Sequence, residues 1–306
     1  MIRVLVTDGM GKSAIEELKI KGFEVVEKFY EPNILGEKLK DFDVIVVRSA
    51  TKIRQPIIDQ AVEAGRLKLI IRGGVGVDNI DVAYARGKGI KVANTPNASS
   101  ASVAELALAH MFAVSRFVNI SNVSMRQGKW DKKKYEGVEI NGKTLGLVGF
   151  GRISKELAKR AYALGMTVIY TNLTGKAKGY DEYEYCKLND LLKKSDYVSL
   201  HTPFVKEQGA TIGKDQLAIM KNGAFLINCA RGGVVDEVAL LEALDNGKLA
   251  GAGIDVFVEE PTKNETLVNH PKVSVTPHIG GSTKEAQTRI GTEIISIICD
   301  FFKKIN

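Results

Sequence analysis

The chain has 306 residues, 44% hydrophobic and 26% charged, which is ordinary globular composition and enough for about two domains. No apolar run approaches the roughly 18 residues of a membrane span, and the opening Met1-Ile-Arg-Val-Leu-Val reads as a strand, so no membrane partner is expected; three scattered cysteines with no disulfide framework fit a reducing cytoplasm. The net charge of +7 comes from dispersed lysines, and the densest cluster, Lys132-Lys133-Lys134, lies between Asp131 and Glu136; this reads as a solvated surface rather than a nucleic-acid site, and it suits a small anionic substrate.

Residues 1–93 alternate strand and helix. Strands are predicted at Ile2–Val6, Phe23–Val26, Asp43–Val47, Leu67–Ile71 and Ile90–Val92. Helices are predicted at Lys12–Ile20, Ile34–Lys40, Ile57–Ala64 and Val82–Arg86. That order makes a parallel α/β domain whose functional edge is the set of loops after the strands. Two loops stand out there, Arg48-Ser-Ala-Thr-Lys52 and the glycine-rich Arg72-Gly-Gly-Val-Gly-Val-Asp-Asn-Ile80, whose successive amides can face an anion or simply form a tight turn.

Asn94-Thr-Pro-Asn-Ala-Ser-Ser-Ala-Ser102 breaks the alternation and reads as a hinge. A long helix, Val103–Asn119, is expected after it, with Ser102 as N-cap and Glu105 at the capping-box position. The polar segment Met125–Glu139, with Trp130, reads as an irregular arm. From Lys143 the alternation resumes, with six strands predicted at Leu145–Val148, Val168–Tyr170, Tyr197–Leu200, Ala224–Asn228, Ala252–Asp255 and Val273–Thr276. Six strands are the size of a dinucleotide domain. A last helix, Lys284–Lys303, is long enough to cross back to the first domain.

The second half opens on Thr144-Leu-Gly-Leu-Val-Gly-Phe-Gly-Arg-Ile-Ser154, a strand, a glycine turn and a helix start. Gly149 allows the turn, Gly151 lets backbone approach a pyrophosphate, and amides as far as Ile153 can hold the anion. Ser154 stands where the pattern has a third glycine. Three further strand ends carry Asn228-Cys-Ala-Arg-Gly-Gly233, Asp255-Val-Phe-Val-Glu-Glu-Pro261 and Thr276-Pro-His-Ile-Gly-Gly281. They offer an arginine, carboxylates and a histidine on the cofactor edge, a set suited to oxidising a 2-hydroxy acid. The histidine takes the hydroxyl proton, the carboxylate fixes its tautomer, and the arginine binds the substrate carboxylate. Of four histidines, His278 is favoured as the base, the alternative being a satisfied strand-end residue. His110 reads as packing, His201 as near the adenosine half with Thr202-Pro203, and His270 as exposed. The cysteines Cys186, Cys229 and Cys299 have no metal-ligand spacing, and no metal is expected.

Across essentially the whole chain these motifs resemble the D-isomer-specific 2-hydroxyacid dehydrogenases. The resemblance implies an α/β fold with two parallel-sheet domains. A Rossmann NAD-binding domain, residues 95–282, is inserted into a flavodoxin-like substrate domain, residues 1–94 and 283–306, with the active site in the cleft. It implies Arg231 as the substrate arginine, Glu260 as the carboxylate partner and His278 as the acid/base. Glu260 is preferred over Glu259 because it directly precedes Pro261. Asp255 would contact the nicotinamide amide. Gly149, Gly151, Arg152, Ile153, Asn172, Thr202, Pro203, Cys229, Ala230, Gly280 and Val103 would line the cofactor.

Val47-Arg-Ser-Ala-Thr-Lys-Ile53 and Trp130-Asp-Lys-Lys-Lys-Tyr-Glu-Gly137 are similar to members that act on a phosphorylated substrate. On that resemblance Arg48, Ser49 and Arg72 face the phosphate, Val75 and Gly76 face the carboxylate, and Lys132 approaches a neighbouring subunit in a homodimer built on the 103 helix and the Trp130 arm. The alternatives are members acting on unphosphorylated acids such as glyoxylate or hydroxypyruvate, or a non-catalytic NAD-sensing scaffold. No further regulatory domain is expected after the return helix. Two departures bear on the site. Ser99 replaces a usual asparagine at the hinge, and Asn172 stands where an acid would repel a 2′-phosphate, with Lys176 and Lys178 close behind. NAD is therefore expected, with NADP possible.

Overall fold

The structure, a computed structural model, describes residues 1–303. The chain forms two compact units, Met1–Ser99 together with the stretch from Gly281 onward, and Ser100–Gly280. The first unit runs β1 (Arg3–Val6), α1 (Lys12–Ile20), β2 (Glu24–Glu27), α2 (Pro32–Leu39), β3 (Val44–Val47), α3 (Gln55–Val62), β4 (Leu69–Arg72), α4 (Val82–Gly87) and β5 (Lys91–Asn94). Its sheet has the order β2-β1-β3-β4-β5, all parallel. Every residue of β3 is buried, as a parallel strand covered on both faces requires.

The second unit begins with α5 (Ser100–Arg116) and α6 (Val118–Arg126). It continues through β6 (Thr144–Val148), α7 (Arg152–Ala163), β7 (Thr167–Thr171), β8 (Glu184–Tyr185), α8 (Leu188–Lys194), β9 (Tyr197–Leu200), α9 (Lys214–Ile219), β10 (Ala224–Asn228), α10 (Glu237–Asp245), β11 (Leu249–Ile254), α11 (Glu265–Val268) and β12 (Val273–Val275). Seven parallel strands lie in the order β12-β11-β10-β9-β6-β7-β8. The order reverses between β6 and β9, and that switch point is where an open α/β sheet binds its ligand. Two-residue β8 is the strand the sequence did not announce.

The helix α12 (Lys284–Lys303) belongs to the first unit. Its Ile290, Ile294 and Ile298, spaced by four, pack with Val4, Val6, Val44, Val46 and Ile71. A Cβ on Gly291 would stand 2.6 Å from that of Ala14, so a glycine there lets α12 lie close to α1.

The long helix differs from expectation. It starts at Ser100, so Ser102 is a buried residue inside it and not its cap. Glu105 meets Arg160 of α7 at 3.1 Å instead of closing a capping box. Phe117, at φ 55°, then breaks the helix, and the Val138 amide donates to the Ser115 carbonyl at its end. The arm after α6 contains a short turn, Lys132–Lys134, and leaves Trp130 78% exposed. Among the described residues no single helix is long and apolar enough to cross a membrane.

Candidate active site

At the switch point, Gly149 has φ 91°, and a Cβ there would lie 2.8 Å from the His201 carbonyl oxygen and 3.1 Å from Thr202 Cγ2. Gly151 differs, since a Cβ there would meet nothing within 4 Å. It is the N-cap residue of α7 and supplies no side-chain hydrogen bond to the helix start. Thr202 adds a buried hydroxyl with no partner among the described residues, and Pro203 follows it. A glycine turn, an open helix start and an orphaned hydroxyl together fit a dinucleotide phosphate. Ser154, in place of the third glycine, is fully buried and donates to the Gly151 carbonyl at 3.0 Å. Arg152 is exposed and Ile153 half-buried at the helix start. Asn172 follows β7 and donates to Thr174 Oγ1 at 2.7 Å, while Lys176 pairs with Asp181 at 2.7 Å.

The ends of β10, β11 and β12 are adjacent because those strands are adjacent. After β10, the Asn228 side chain accepts from the Ala230 amide and donates to the Arg231 carbonyl, folding Cys229-Ala-Arg into a tight turn. A Cβ on Gly232 would run into the Phe257 carbonyl, so only glycine lets this loop touch the one after β11. Glu260 Oε1 accepts from the Phe257 amide at 3.1 Å, and its Oε2 lies 2.7 Å from His278 Nδ1. A carboxylate only accepts, so Nδ1 carries a proton, and in the neutral ring Nε2 presents a lone pair. Burial pushes the Glu260 carboxyl up, but the His278 hydrogen bond and charge, the Phe257 amide and the Arg231 charge together hold it below the usual range. Glu259, the other candidate, is exposed and pairs with Lys263. His278 sits at φ 52°, uncommon for a non-glycine residue.

Asp255 is 1% exposed and anchors that turn. Its Oδ1 accepts from Thr276 Oγ1 and the Ile279 amide, and its Oδ2 from the Gly280 amide at 2.9 Å. A Cβ on Gly280 would come within 3.1 Å of Asp255 Oδ2 and 3.2 Å of Val103 Cγ2, so Gly280, Asp255 and Val103 share one spot. Cys229 is buried, and burial pushes its thiol well up, which leaves it no nucleophile.

In the first unit, β3 and β4 are neighbours and bring Arg48 and Arg72 to adjacent strand ends. A Cβ on Gly73 would lie 3.6 Å from Arg48 Cγ, and one on Gly74 would collide with the Arg72 guanidinium. Val75 is held by the Asn94 amide at 2.5 Å, and Gly76 beside it is half-buried. Ser49 is exposed, whereas Ser99 is buried. The organiser of this edge is Asp8, which the sequence reading missed. Its carboxylate accepts from the Arg48 amide, the Thr51 amide and Thr51 Oγ1. An acid two residues past a buried strand was the available signal.

The other histidines differ in part from expectation. His270 is not exposed: its side chain is 9% accessible and its Nε2 meets Asp245 at 3.2 Å. His201 bonds Ser199 at 3.0 Å and, desolvated, is pushed down to about 3, so it stays neutral. His110 is more than packing, since both its ring nitrogens are bonded. Among the described residues no group of three or more His, Cys, Asp or Glu can hold a metal ion.

A glycine turn at the switch point of a parallel sheet, with a carboxylate–imidazole pair at adjoining strand ends, is the architecture of a nicotinamide-linked dehydrogenase. The family profile "D-isomer specific 2-hydroxyacid dehydrogenase, NAD binding domain" matches residues 108–280. The chain belongs to this family, and its second unit is the NAD-binding domain. It is 43% identical to D-3-phosphoglycerate dehydrogenase of Methanocaldococcus jannaschii, over 100% of this chain and 57% of that one. It is 46% identical to hydroxypyruvate reductase of Thermotoga maritima, over 97% of both chains. The chain thus spans a little over half the length of the first of these. The structure is similar to D-lactate dehydrogenase from Aquifex aeolicus complexed with NAD and lactic acid, with TM-score 0.86 and 30% identity over 98% of this chain and 96% of that one.

Proposed function

We propose that the protein is an NAD-dependent D-3-phosphoglycerate dehydrogenase, oxidising 3-phospho-D-glycerate to 3-phosphohydroxypyruvate on the way to serine. The observation that supports it best is that the backbones of Arg48 and Arg72 end neighbouring strands, since two arginines on one sheet edge suit a phosphate dianion. Bound NAD supplies the hydride acceptor. His278 takes the hydroxyl proton at Nε2, held in that tautomer by Glu260 at Nδ1. The ionised Glu260 stabilises the imidazolium that results. Arg231 binds the substrate carboxylate through its fork and, in the reverse direction, polarises the keto oxygen. Asp255 would hold the nicotinamide by accepting from its carboxamide. Arg48→Ala tests the substrate: kcat/KM for 3-phosphoglycerate falls about 10–100-fold, as loss of a charge-assisted contact implies, while glyoxylate reduction changes little. Equal losses on both substrates would defeat the reading.

A second reading, reduction of unphosphorylated hydroxypyruvate or glyoxylate, is favoured by the full-length match to the Thermotoga maritima enzyme. A substrate panel assayed with NAD and NADP separates the two, and it also tests whether Asn172 permits NADP. We place the enzyme in the cytoplasm as a homodimer, its contact formed by the exposed Val118, Val123, Met125 and Trp130. Light scattering that returns the mass of one chain would remove the dimer.

A further inference from the structure

Inside the NAD-binding unit a second hydrogen-bond chain leads to Asp255. Thr276 Oγ1 is 2.6 Å from Asp255 Oδ1 and 3.0 Å from His110 Nε2, and His110 Nδ1 is 3.0 Å from Ser274 Oγ. Hydrogen-bond inventory fixes every direction in this chain. The carboxylate only accepts, so the single Thr276 proton goes to Asp255. The Thr276 oxygen must then accept from His110 Nε2–H. The neutral ring keeps a lone pair at Nδ1, and Ser274 donates to it. Burial lowers the His110 basicity more than the Asp255 charge raises it, which agrees with a neutral ring.

The fold makes room for this imidazole. His110 is 2% exposed on α5, and a Cβ on Gly253 of β11 would lie 2.5 Å from the His110 Cβ. A leucine at this helical position would satisfy packing but would leave the Thr276 oxygen without its donor. The remaining donors to Asp255 are backbone amides of Ile279 and Gly280, which hold the carboxylate from the turn side. Thr276, with His110 behind it, holds the Oδ1 end from the core side.

We propose that His110 is a positioning residue of the cofactor site: through Thr276 it fixes the Asp255 carboxylate so that its Oδ2 edge meets the nicotinamide carboxamide. This rests on the reading of Asp255 as a nicotinamide contact. The role predicts a split between two ligands that share every other group. NADH carries the nicotinamide, and ADP-ribose has the same pyrophosphate and adenosine without it.

In titrations of the intact protein, His110→Leu weakens NADH binding about fivefold, the value of one hydrogen bond, and leaves ADP-ribose within about twofold. His110→Gln, which can still donate to Thr276, recovers most of the NADH affinity. Thr276→Val breaks the same link from the other side and gives the same split, which keeps the test available if the leucine variant does not fold. Equal weakening of both ligands, or unchanged NADH binding in both variants, overturns the proposal. Asp255→Asn separates the two levels. If it spares NADH binding, the Asp255 reading itself fails. If it weakens NADH alone while His110→Leu and Thr276→Val do not, only the relay is wrong.

Discussion

Gly149 and Gly151 stand two residues apart in one loop and are required for different reasons, which a pair of alanine substitutions separates. At Gly149 alanine must adopt φ near 91°, a left-handed conformation that costs an L-residue about 1–2 kcal/mol. Its Cβ also meets the His201 carbonyl at 2.8 Å and Thr202 Cγ2 at 3.1 Å. Backbone cannot swing aside as a side chain does, so overpacking adds about 1–3 kcal/mol. Gly149→Ala should therefore lose about 2–5 kcal/mol, a large share of the roughly 5–15 kcal/mol available to a domain. With a urea slope of about 1–3 kcal/mol per molar, the unfolding midpoint falls by about 1 M or more. Gly151 has φ −87°, and an added methyl meets no atom within 4 Å. Gly151→Ala should leave the midpoint within about 0.5 kcal/mol equivalent. Its methyl fills the space a pyrophosphate would enter, so NADH affinity falls at least about tenfold. Urea unfolding followed by circular dichroism, with NADH titration of each variant, reads both quantities. The reasoning fails if Gly151→Ala destabilises as much as Gly149→Ala, or if it binds NADH like the parent.

Ser154→Gly restores the usual third glycine yet should destabilise by about 1 kcal/mol, because it gives up the Gly151 bond and adds helix backbone entropy; a raised thermal midpoint would contradict this. Glu260 is held below its ordinary pKa, so its stabilising contribution is full above the unfolded value near 4.3 and is lost as pH falls through the lower folded value. The midpoint gap between the parent and Glu260→Gln should accordingly be present at pH 5 and shrink below about pH 4, and a gap that widens on acidification would refute the sign. Asp8→Asn presents an amide to donors that need an acceptor, and should cost about 1–3 kcal/mol in the first unit and raise KM for the acid substrate more than it lowers kcat; unchanged KM and stability would remove Asp8 as organiser of the Arg48 loop.

What the sequence made legible is what local pattern controls. The strand Tyr197–Leu200, the strand Ala224–Asn228 and the helix Lys12–Ile20 occur with the expected bounds because their burial patterns are complete within each segment. The strand-end motifs likewise put Arg231, Glu260 and His278 after strands, and the structure makes those strands, β10, β11 and β12, neighbours. The failures lie where distant partners decide. Ser102 has every local mark of a cap, but the helix begins two residues earlier. Phe117 gives no local sign of a left-handed break, which coincides with the 137–138 backbone closing on Ser115. His110 falls on the apolar stripe of α5 with Val103, Ala107 and Val114, so its spacing reads as core; its partners are 164 and 166 residues away. The alternating Gly251 and Gly253 of β11 were the hint that a helix lies close there.

The three motifs are clamped to one another in chain order. Gly232 lets the Arg231 loop touch the Phe257 carbonyl, the Phe257 amide fixes Glu260, and Glu260 fixes His278. His278 in turn occupies a backbone region that costs about 1 kcal/mol or more. That cost is offset by Asp255, whose carbonyl and two carboxylate oxygens receive the amides of His278, Ile279 and Gly280 in succession. Hydrogen bonds to a charged acceptor contribute about 1.5–3 kcal/mol each, more than the strain they oppose. A histidine held this way leaves Nε2 available while Nδ1 is committed, which extended strand backbone would not enforce. Asp255 is therefore the residue on which the Glu260–His278 pair depends for its geometry, and substitution there should disturb the His278 backbone and its hydrogen bond to Glu260.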